Sequence, residues 1–391
     1  MAEIDALFRF VRERDCSDLH LAAESPPHVR LNGALQQVPD WPKLDDRRIR
    51  KMLQEMVDET KWNHYLENLD LDFAYALEGI GRFRCNFLFQ ERGAAAVFRL
   101  IPEKVKTLEE LRSPPVLKMF TELESGLVLV TGPTGSGKST TLAAIIDAIN
   151  TGQARHIITI EDPVEFVHQN KSCTLSQREV GKDTTSFATA LRAAIRQDPG
   201  VILVGELRDM ETIALAITAA EMGVLVFATL HTNSAAKTID RLIDAFPTDQ
   251  QGQVRTMLSE SLAGVVSQLL LRTASGAGRV AVHEILIKTP GLPNIIREGN
   301  TPMIASIIQG GKNLGMQSMD DSLYAQAKAK NIDGEEAYLK AVDKRRFEEF
   351  LNPEAKAEAA QPAPPAQPQP GARTGMTGNR PAYVPGGKPG R

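Results

Sequence analysis

Apolar and polar positions change period several times along this chain, and the changes divide it into four stretches. Near the start, Leu7, Phe8 and Val11 fall on one helical face, and Ile49, Met52, Leu53, Met56 and Val57 repeat that spacing further on. Residues 82–89 alternate instead. Phe83, Cys85, Phe87 and Phe89 share one side of a strand, with Arg82 and Arg84 on the other. Helix and strand signals mixed in this way predict an N-terminal α+β domain with its own core over residues 1–100. Pro102 and the pair Pro114-Pro115 interrupt both periods, which puts an interdomain linker at 101–116.

From 117 onward the pattern is different. Short apolar runs at 127–131, 156–161, 201–206 and 224–230 alternate with helical segments, as in a mainly parallel sheet buried under helices. One such segment carries Phe187, Leu191 and Ile195 as a single stripe. Helical spacing is also read across 255–271 and from 320 to about 350, so the expectation is an α/β domain over 117–352. Residues 353–391 are mostly Pro, Ala, Gln and Gly with almost no large apolar side chain. They cannot bury enough surface to offset their ordering entropy, and a disordered tail is expected there.

Composition narrows the class. A chain of 391 residues exceeds what one hydrophobic core usually serves, and 42% hydrophobic with 24% charged residues is the balance of a soluble globular protein. A net charge of −4 supplies no field to hold a polyanion, so no nucleic-acid partner is expected. The acidic start, Met1-Ala2-Glu3-Ile4-Asp5, is not a secretory signal, and no run approaches the ~20 apolar residues of a membrane span. A cytosolic protein is expected. Three widely spaced cysteines, Cys16, Cys85 and Cys173, and scattered histidines suggest neither a disulfide framework nor a transition-metal site.

Candidate chemistry gathers at the strand ends. Gly132-Pro133-Thr134-Gly135-Ser136-Gly137-Lys138-Ser139, followed by Thr140, fits G-x(4)-G-K-[S/T] and lies between an apolar strand and a helix read from about Thr141. Glycines there let backbone amides turn toward phosphates; Lys138 reaches the β- and γ-phosphates of ATP, and Ser139 ligates Mg2+. Hydrolysis needs an acid on the metal side and another to orient water. The run 201–206 ends in Glu206, the form of a Walker B element, which makes it the metal-side acid. Residues 158–166 deliver Glu161, Asp162 and Glu165 within five positions, a density of charge that suits a cation or a poised water. Spacing alone leaves open which acid is the base. His231 closes a third strand at the same edge and is a candidate γ-phosphate sensor. No arginine is read in the P-loop or at the acidic strand ends, so charge stabilisation is sought in Arg82, Arg84, Arg92 and Arg99 of the first domain, in cis or from a neighbouring subunit.

Taken together, the segment 132–140, the acidic box 158–166, Val204-Gly205-Glu206-Leu207-Arg208-Asp209 and Thr229-Leu230-His231-Thr232 resemble the secretion-type hexameric ATPases, and more narrowly the type IV pilus retraction ATPases of the PilT and PilU group. Ser17-Asp18-Leu19-His20-Leu21, Arg82-Phe83-Arg84, Gln177-Arg178-Glu179-Val180, Leu258-Ser259-Glu260-Ser261-Leu262 and Leu314-Gly315-Met316-Gln317 are similar to that group too, so the likeness covers about 1–350. The resemblance implies a PAS-like first lobe, a RecA-like second lobe and a homo-hexamer. It further implies ATP and Mg2+ as ligands and an inner-membrane pilus platform protein as partner, reached from the inner face of the cytoplasmic membrane, with a paralogous pilus ATPase as a further partner.

Carried over by position, the family's catalytic glutamate falls on Glu165, its Walker B glutamate on Glu206 and the second histidine of its His box on His231. Its intersubunit arginines are sought among Arg82, Arg84 and Arg99. Two positions depart from the group's motifs: Val224 stands where the His box usually begins with histidine, and Leu292-Pro293 replaces the Ile-Arg of the retraction motif, whose Arg297 remains. The expected function is an ATP-driven pilus retraction motor. An accessory, weakly hydrolysing subunit that modulates a paralogous motor is the alternative, and a nucleic-acid translocase is disfavoured by the acidic balance.

Overall fold

The protein, seen in a computed structural model, is described over residues 3–31, 34–101, 104–276 and 278–351. The tail expected at 353–391 and the linker proline Pro102 lie outside the described residues.

The first lobe runs α1 (Glu3–Glu13), β1 (Asp18–Ala22), β2 (His28–Leu31), β3 (Ala34–Gln37), α2 (Asp46–Gln54), α3 (Glu59–Asn68), β4 (Asp70–Leu77), β5 (Gly81–Gln90) and β6 (Gly93–Ile101). Its strands pair antiparallel in the order β3-β2-β1-β6-β5-β4. Period-two alternation decides which side of β5 is inside: Phe83, Cys85 and Phe87 are fully buried, and Phe89 partly so. The α1 stripe closes over them. Phe8 stacks on Phe83 with ring centroids 4.2 Å apart and meets Phe98 edge-on at 5.2 Å. Each of these enclosed rings contributes roughly 1.5–3 kcal/mol of burial free energy. The other side of β5 presents Arg82 and Arg84, and Arg82 reaches the second lobe.

The second lobe continues with α4 (Leu117–Thr121), β7 (Gly126–Thr131), α5 (Lys138–Gly152), β8 (His156–Glu161), β9 (Thr174–Glu179), α6 (Phe187–Ala194), β10 (Val201–Val204), α7 (Met210–Glu221), β11 (Leu225–Leu230), α8 (Ala235–Asp244), α9 (Thr248–Ser261), β12 (Leu262–Arg272) and β13 (Arg279–Ile287). The sheet order is β13-β12-β7-β11-β10-β8-β9, parallel throughout except for the antiparallel β12–β13 hairpin. Every residue of β7, β10 and β11 is buried, because helices cover both faces of the parallel ladder. The short α10 (Leu292–Glu298), α11 (Ile304–Gly310), α12 (Met319–Lys328) and α13 (Gly334–Lys340) follow. Leu323 of α12 and Ala337 of α13 join Leu271, Val282 and Phe347 in a separate small core at the far end of the hairpin. Residues Met1–Phe350 form one compact unit. Among the described residues no helix is long and apolar enough to cross a membrane.

Several expectations are corrected. The helical reading across 255–271 fails after Ser261, where the chain enters β12; its short apolar runs on either side of Ser267 and Gln268 are compatible with a buried strand or a buried helix, and pairing with β7 and β13 selects the strand. The helix read from 320 to 350 is three pieces, α12, α13 and a 3-10 turn at Lys344–Phe350. Helix α5 begins at Lys138, three residues before Thr141. The strand read as 201–206 leaves its ladder at Val204, so Gly205 and Glu206 lie just past the sheet edge.

Asp209, part of the motif around Glu206, has a local task. It is the N-cap of α7, accepting from the Thr212 backbone N–H at 2.8 Å and the Thr212 hydroxyl at 2.8 Å. Asp209→Ala is expected to cost about 1 kcal/mol and Asp209→Ser much less. Urea denaturation of the two variants checks this, and equal losses would remove the capping role.

Candidate functional site

The C-terminal edge of a parallel sheet is where the strands open into loops and a ligand can enter. Four loops meet there. Strand β7 delivers residues 132–139, β8 delivers Glu161 to Glu165, β10 delivers Glu206 and β11 delivers His231.

Gly132 makes the first turn possible. Its φ is +143°, and a Cβ there would sit 2.2 Å from the backbone oxygen of Gln268. The loop ends on Gly137, the left-handed N-cap of α5, so the amide-rich start of a 15-residue helix faces the crevice. Lys138 is buried and its Nζ donates to the carbonyls of Gly132 at 2.8 Å and Pro133 at 3.2 Å. Burial lowers its pKa, while the negative charges of Glu206 and Glu165 act in the opposite direction. Both acids therefore lie within electrostatic reach of the loop. The Ser136 hydroxyl is buried with no protein partner. A cradle of this shape, with an ammonium, a helix N-terminus and a spare hydroxyl, fits a nucleotide polyphosphate.

Glu206 is shared. Its Oε1 lies 3.1 Å from His231 Nε2, and its Oε2 accepts from Arg208 at 2.7 and 2.8 Å. This corrects the reading that no arginine stands at the acidic strand ends: Arg208 is two residues beyond Glu206. In the β8 box the three acids separate by environment. Glu161 Oε1 accepts from the Thr159 hydroxyl at 2.7 Å and Gln177 Nε2 at 3.3 Å, and burial pushes its carboxyl above the ordinary carboxylate range. Glu165 is 38% exposed, 3.9 Å from Arg84 Nη1. Among the described residues no three His, Cys, Asp or Glu side chains converge closely enough to hold a metal ion by themselves.

The first-lobe arginines divide. Arg82 Nη2 donates to Glu179 Oε2 at 2.8 Å, and that oxygen also accepts the Val164 backbone N–H at 3.1 Å, one residue before Glu165. Arg84 is held by Asp72, through Nη2 at 2.6 Å and Nε at 3.3 Å, beside Glu165. Arg99 pairs with Asp18 in its own lobe at 2.9 Å and is not brought to this edge of the chain.

Both motif departures lie elsewhere. Val224 precedes β11 at the opposite edge of the sheet from His231, buried, with its carbonyl accepting from Gly126. Six residues of strand separate the two, roughly 20 Å. Within this chain Val224 is thus not a neighbour of His231. Pro293 occupies the first turn of α10, where a missing N–H costs nothing, and Arg297 donates to Ser259 Oγ at 3.2 Å.

Sequence reasoning gave no site role to Gln177, Glu179 or Arg208, which it read only as parts of family-like segments, and did not single out Gln268. A signal existed for Gln268, since a polar residue inside an apolar strand must find buried partners. Glu179 and Gln177 lie on β9, a polar edge strand that apolar periodicity does not detect.

A strand order that puts the P-loop strand beside β11, followed by β10 and β8, with carboxylates at the ends of β10 and β8, defines a P-loop ATPase, an ATP-hydrolysing enzyme. Residues 16–300 match the family described as type II/IV secretion system protein, and the chain belongs to that family. It is 49% identical over 345 residues to the type IV pilus retraction ATPase PilT of Pseudomonas aeruginosa, covering 88% of this chain and 100% of that protein. The type IV pilus ATPase PilU of the same organism is 40% identical over 322 residues, covering 82% and 84%. A crystal structure of the pilus retraction motor PilT with bound ADP superposes with a TM-score of 0.82 at 42% identity, covering 89% of this chain and 99% of that one.

The Glu161 environment makes a signed prediction. Its pKa is raised in the folded state, so its contribution to stability is full below the unfolded value of 4.5 and is lost as pH rises through the folded value. The melting temperature of Glu161→Gln relative to the parent should therefore climb with pH above 4.5 and then level off. Thermal melts of both proteins from pH 4.5 to 8 read this difference, and parallel curves would contradict it.

Proposed function

We propose that this chain is a motor that couples ATP hydrolysis to type IV pilus retraction, the withdrawal of pilin subunits that powers twitching motility. The observation that carries this reading is the 49% identity to PilT over that protein's whole length, together with an intact phosphate cradle at residues 132–140. The PilT structure with bound ADP supports a nucleotide as the occupant of that cradle.

In this reading Lys138 leaves the carbonyls of Gly132 and Pro133 for the β- and γ-phosphates, and the amides of residues 134, 135 and 137–140 hold the remaining oxygens; Pro133 has no N–H, and those of Gly132 and Ser136 donate to the Leu230 and Pro133 carbonyls. Ser139 and Glu206 hold Mg2+, which when bound neutralises charge on the phosphates. Glu165 orients and accepts a proton from the attacking water; its exposure and its electrostatic reach to Lys138 support it over Glu161, whose carboxyl is already bonded by Thr159 and Gln177. His231, touching Glu206, reports on the γ-phosphate side. Arg82 and Arg84 act from the first lobe, and Arg99, 69% exposed, serves a neighbour's site.

The working unit is a homo-hexamer with a PAS-like first lobe. It is cytoplasmic and bound to the inner membrane through a pilus platform protein, with a PilU-type paralogue as a further partner. The accessory, weakly hydrolysing role is the weaker reading. Identity to PilU is lower, and Val224 lies too far from His231 in this chain to impair catalysis directly.

Purified Glu165→Gln should bind ADP with an affinity close to the parent's while ATP turnover falls by at least 10²-fold. Lys138→Ala should lose nucleotide binding itself. Normal turnover by Glu165→Gln would remove that residue from the catalytic role, and unchanged pilus retraction in cells lacking this gene and any paralogue would remove the motor reading.

A further inference from the structure

Gln268 belongs to no motif of the nucleotide site, yet its side chain bonds to P-loop and α5 residues. It is 2% exposed in β12, which runs parallel to β7 with Ser267 level with Thr131. The Thr131 and Ser267 hydroxyls are 2.8 Å apart and buried, which locks the two strands just before the loop begins. One step further, Gln268 Nε2 donates to the Ser136 carbonyl at 2.6 Å and Oε1 accepts from the Thr141 hydroxyl at 2.8 Å. The amide has one orientation. A backbone carbonyl can only accept, so Nε2 must face Ser136 and Oε1 must face Thr141.

In a trans peptide the C=O and the following N–H point in opposite directions. Drawing the Ser136 carbonyl onto β12 therefore turns the Gly137 N–H away from β12. Gly137, with φ +86°, is the N-cap of α5, the position from which an amide addresses an anion. Approach is close enough to require glycine: a Cβ on Gly137 would stand 2.9 Å from Gln268 Nε2. An apolar residue could fill this space beside Leu270, whereas a buried amide is costly unless bonded. The bonds it makes are to the loop.

We propose that Gln268 is a positioning residue of the nucleotide site, fixing the peptide group between Ser136 and Gly137 so that the Gly137 N–H faces the phosphates. This rests on the reading that residues 132–140 hold a nucleotide. Gln268 does not touch the ligand; it sets an amide that does. An interaction made equally in ground and transition states lowers KM without changing kcat.

The test is Gln268→Met, which keeps length and volume and removes both hydrogen bonds. The Kd for a fluorescent ADP analogue and the KM for ATP should each rise about tenfold, with kcat within about twofold, while the melting temperature of the nucleotide-free protein falls by about a few degrees because the buried Ser136 carbonyl and Thr141 hydroxyl lose their partner. Thr141→Val should weaken ADP binding less, and the double variant should be no worse than Gln268→Met, because Thr141 acts by orienting the same amide. Parent-like ADP affinity in Gln268→Met, a loss confined to kcat, or fully additive effects would overturn the inference. Should Gln268→Met not fold, Gln268→Glu presents an acceptor to the Ser136 carbonyl: weakened ADP binding supports the role, and parent-like binding refutes it. Lys138→Ala separates the two levels of the claim. If Lys138→Ala loses ADP while Gln268→Met keeps it, this inference alone fails; if Lys138→Ala also binds normally, the nucleotide reading fails.

Discussion

A loop that offers its backbone amides to an anion has to dispose of its own carbonyls, and much of the second lobe is arranged around that constraint. Lys138 caps the carbonyls of Gly132 and Pro133, and Gln268 takes that of Ser136. Neither would be available without β12 lying beside β7, or without α5 beginning at Lys138. Burial lowers the lysine's pKa, and the negative charges of Glu165 and Glu206 oppose that shift. Loop conformation, strand order and local electrostatics are thus parts of a single solution to the problem of unpaired backbone groups.

The first lobe enters the site through two arginines rather than through packing. Arg82 and Glu179 are 21% and 8% exposed, and the same Glu179 oxygen secures the backbone of the acidic box at Val164. A pair this enclosed is not screened as a surface pair is, and losing one partner strands the other. Any movement of the first lobe away from the second must therefore break a bond that also steadies the segment carrying Glu165. Arg84, anchored by Asp72 beside Glu165, couples the same two elements at longer range.

How far the molecule is legible from residue order differs by element. The α1 stripe, the alternation of β5 and the apolar runs of β7, β8, β10 and β11 are written locally, and they appear where periodicity puts them. Strand β12 reads as helix, since short apolar runs on either side of Ser267 and Gln268 carry no decisive period and one of its pairing partners lies more than a hundred residues away. Polar β9 gave no apolar signal at all. At the site, glycine, lysine and carboxylate spacing located the strand-end loops, but not Gln268, Gln177 or Glu179, whose partners are distant in sequence.

Residue order by itself determined the P-loop, the acidic strand ends, the two-lobe division of pattern and the likeness to the pilus retraction ATPases, because each depends on short-range spacing or on composition. Tertiary structure alone decided that Glu206 and Glu165 lie within electrostatic reach of Lys138, and that Arg82 and Arg84 meet acids of the second lobe while Arg99 pairs within the first. It also decided that Val224 sits about a strand's length from His231, and that Gln268 governs a peptide plane in the loop. Those outcomes depend on which strand lies beside which and on what is left buried between them, and neither is a property of any local segment.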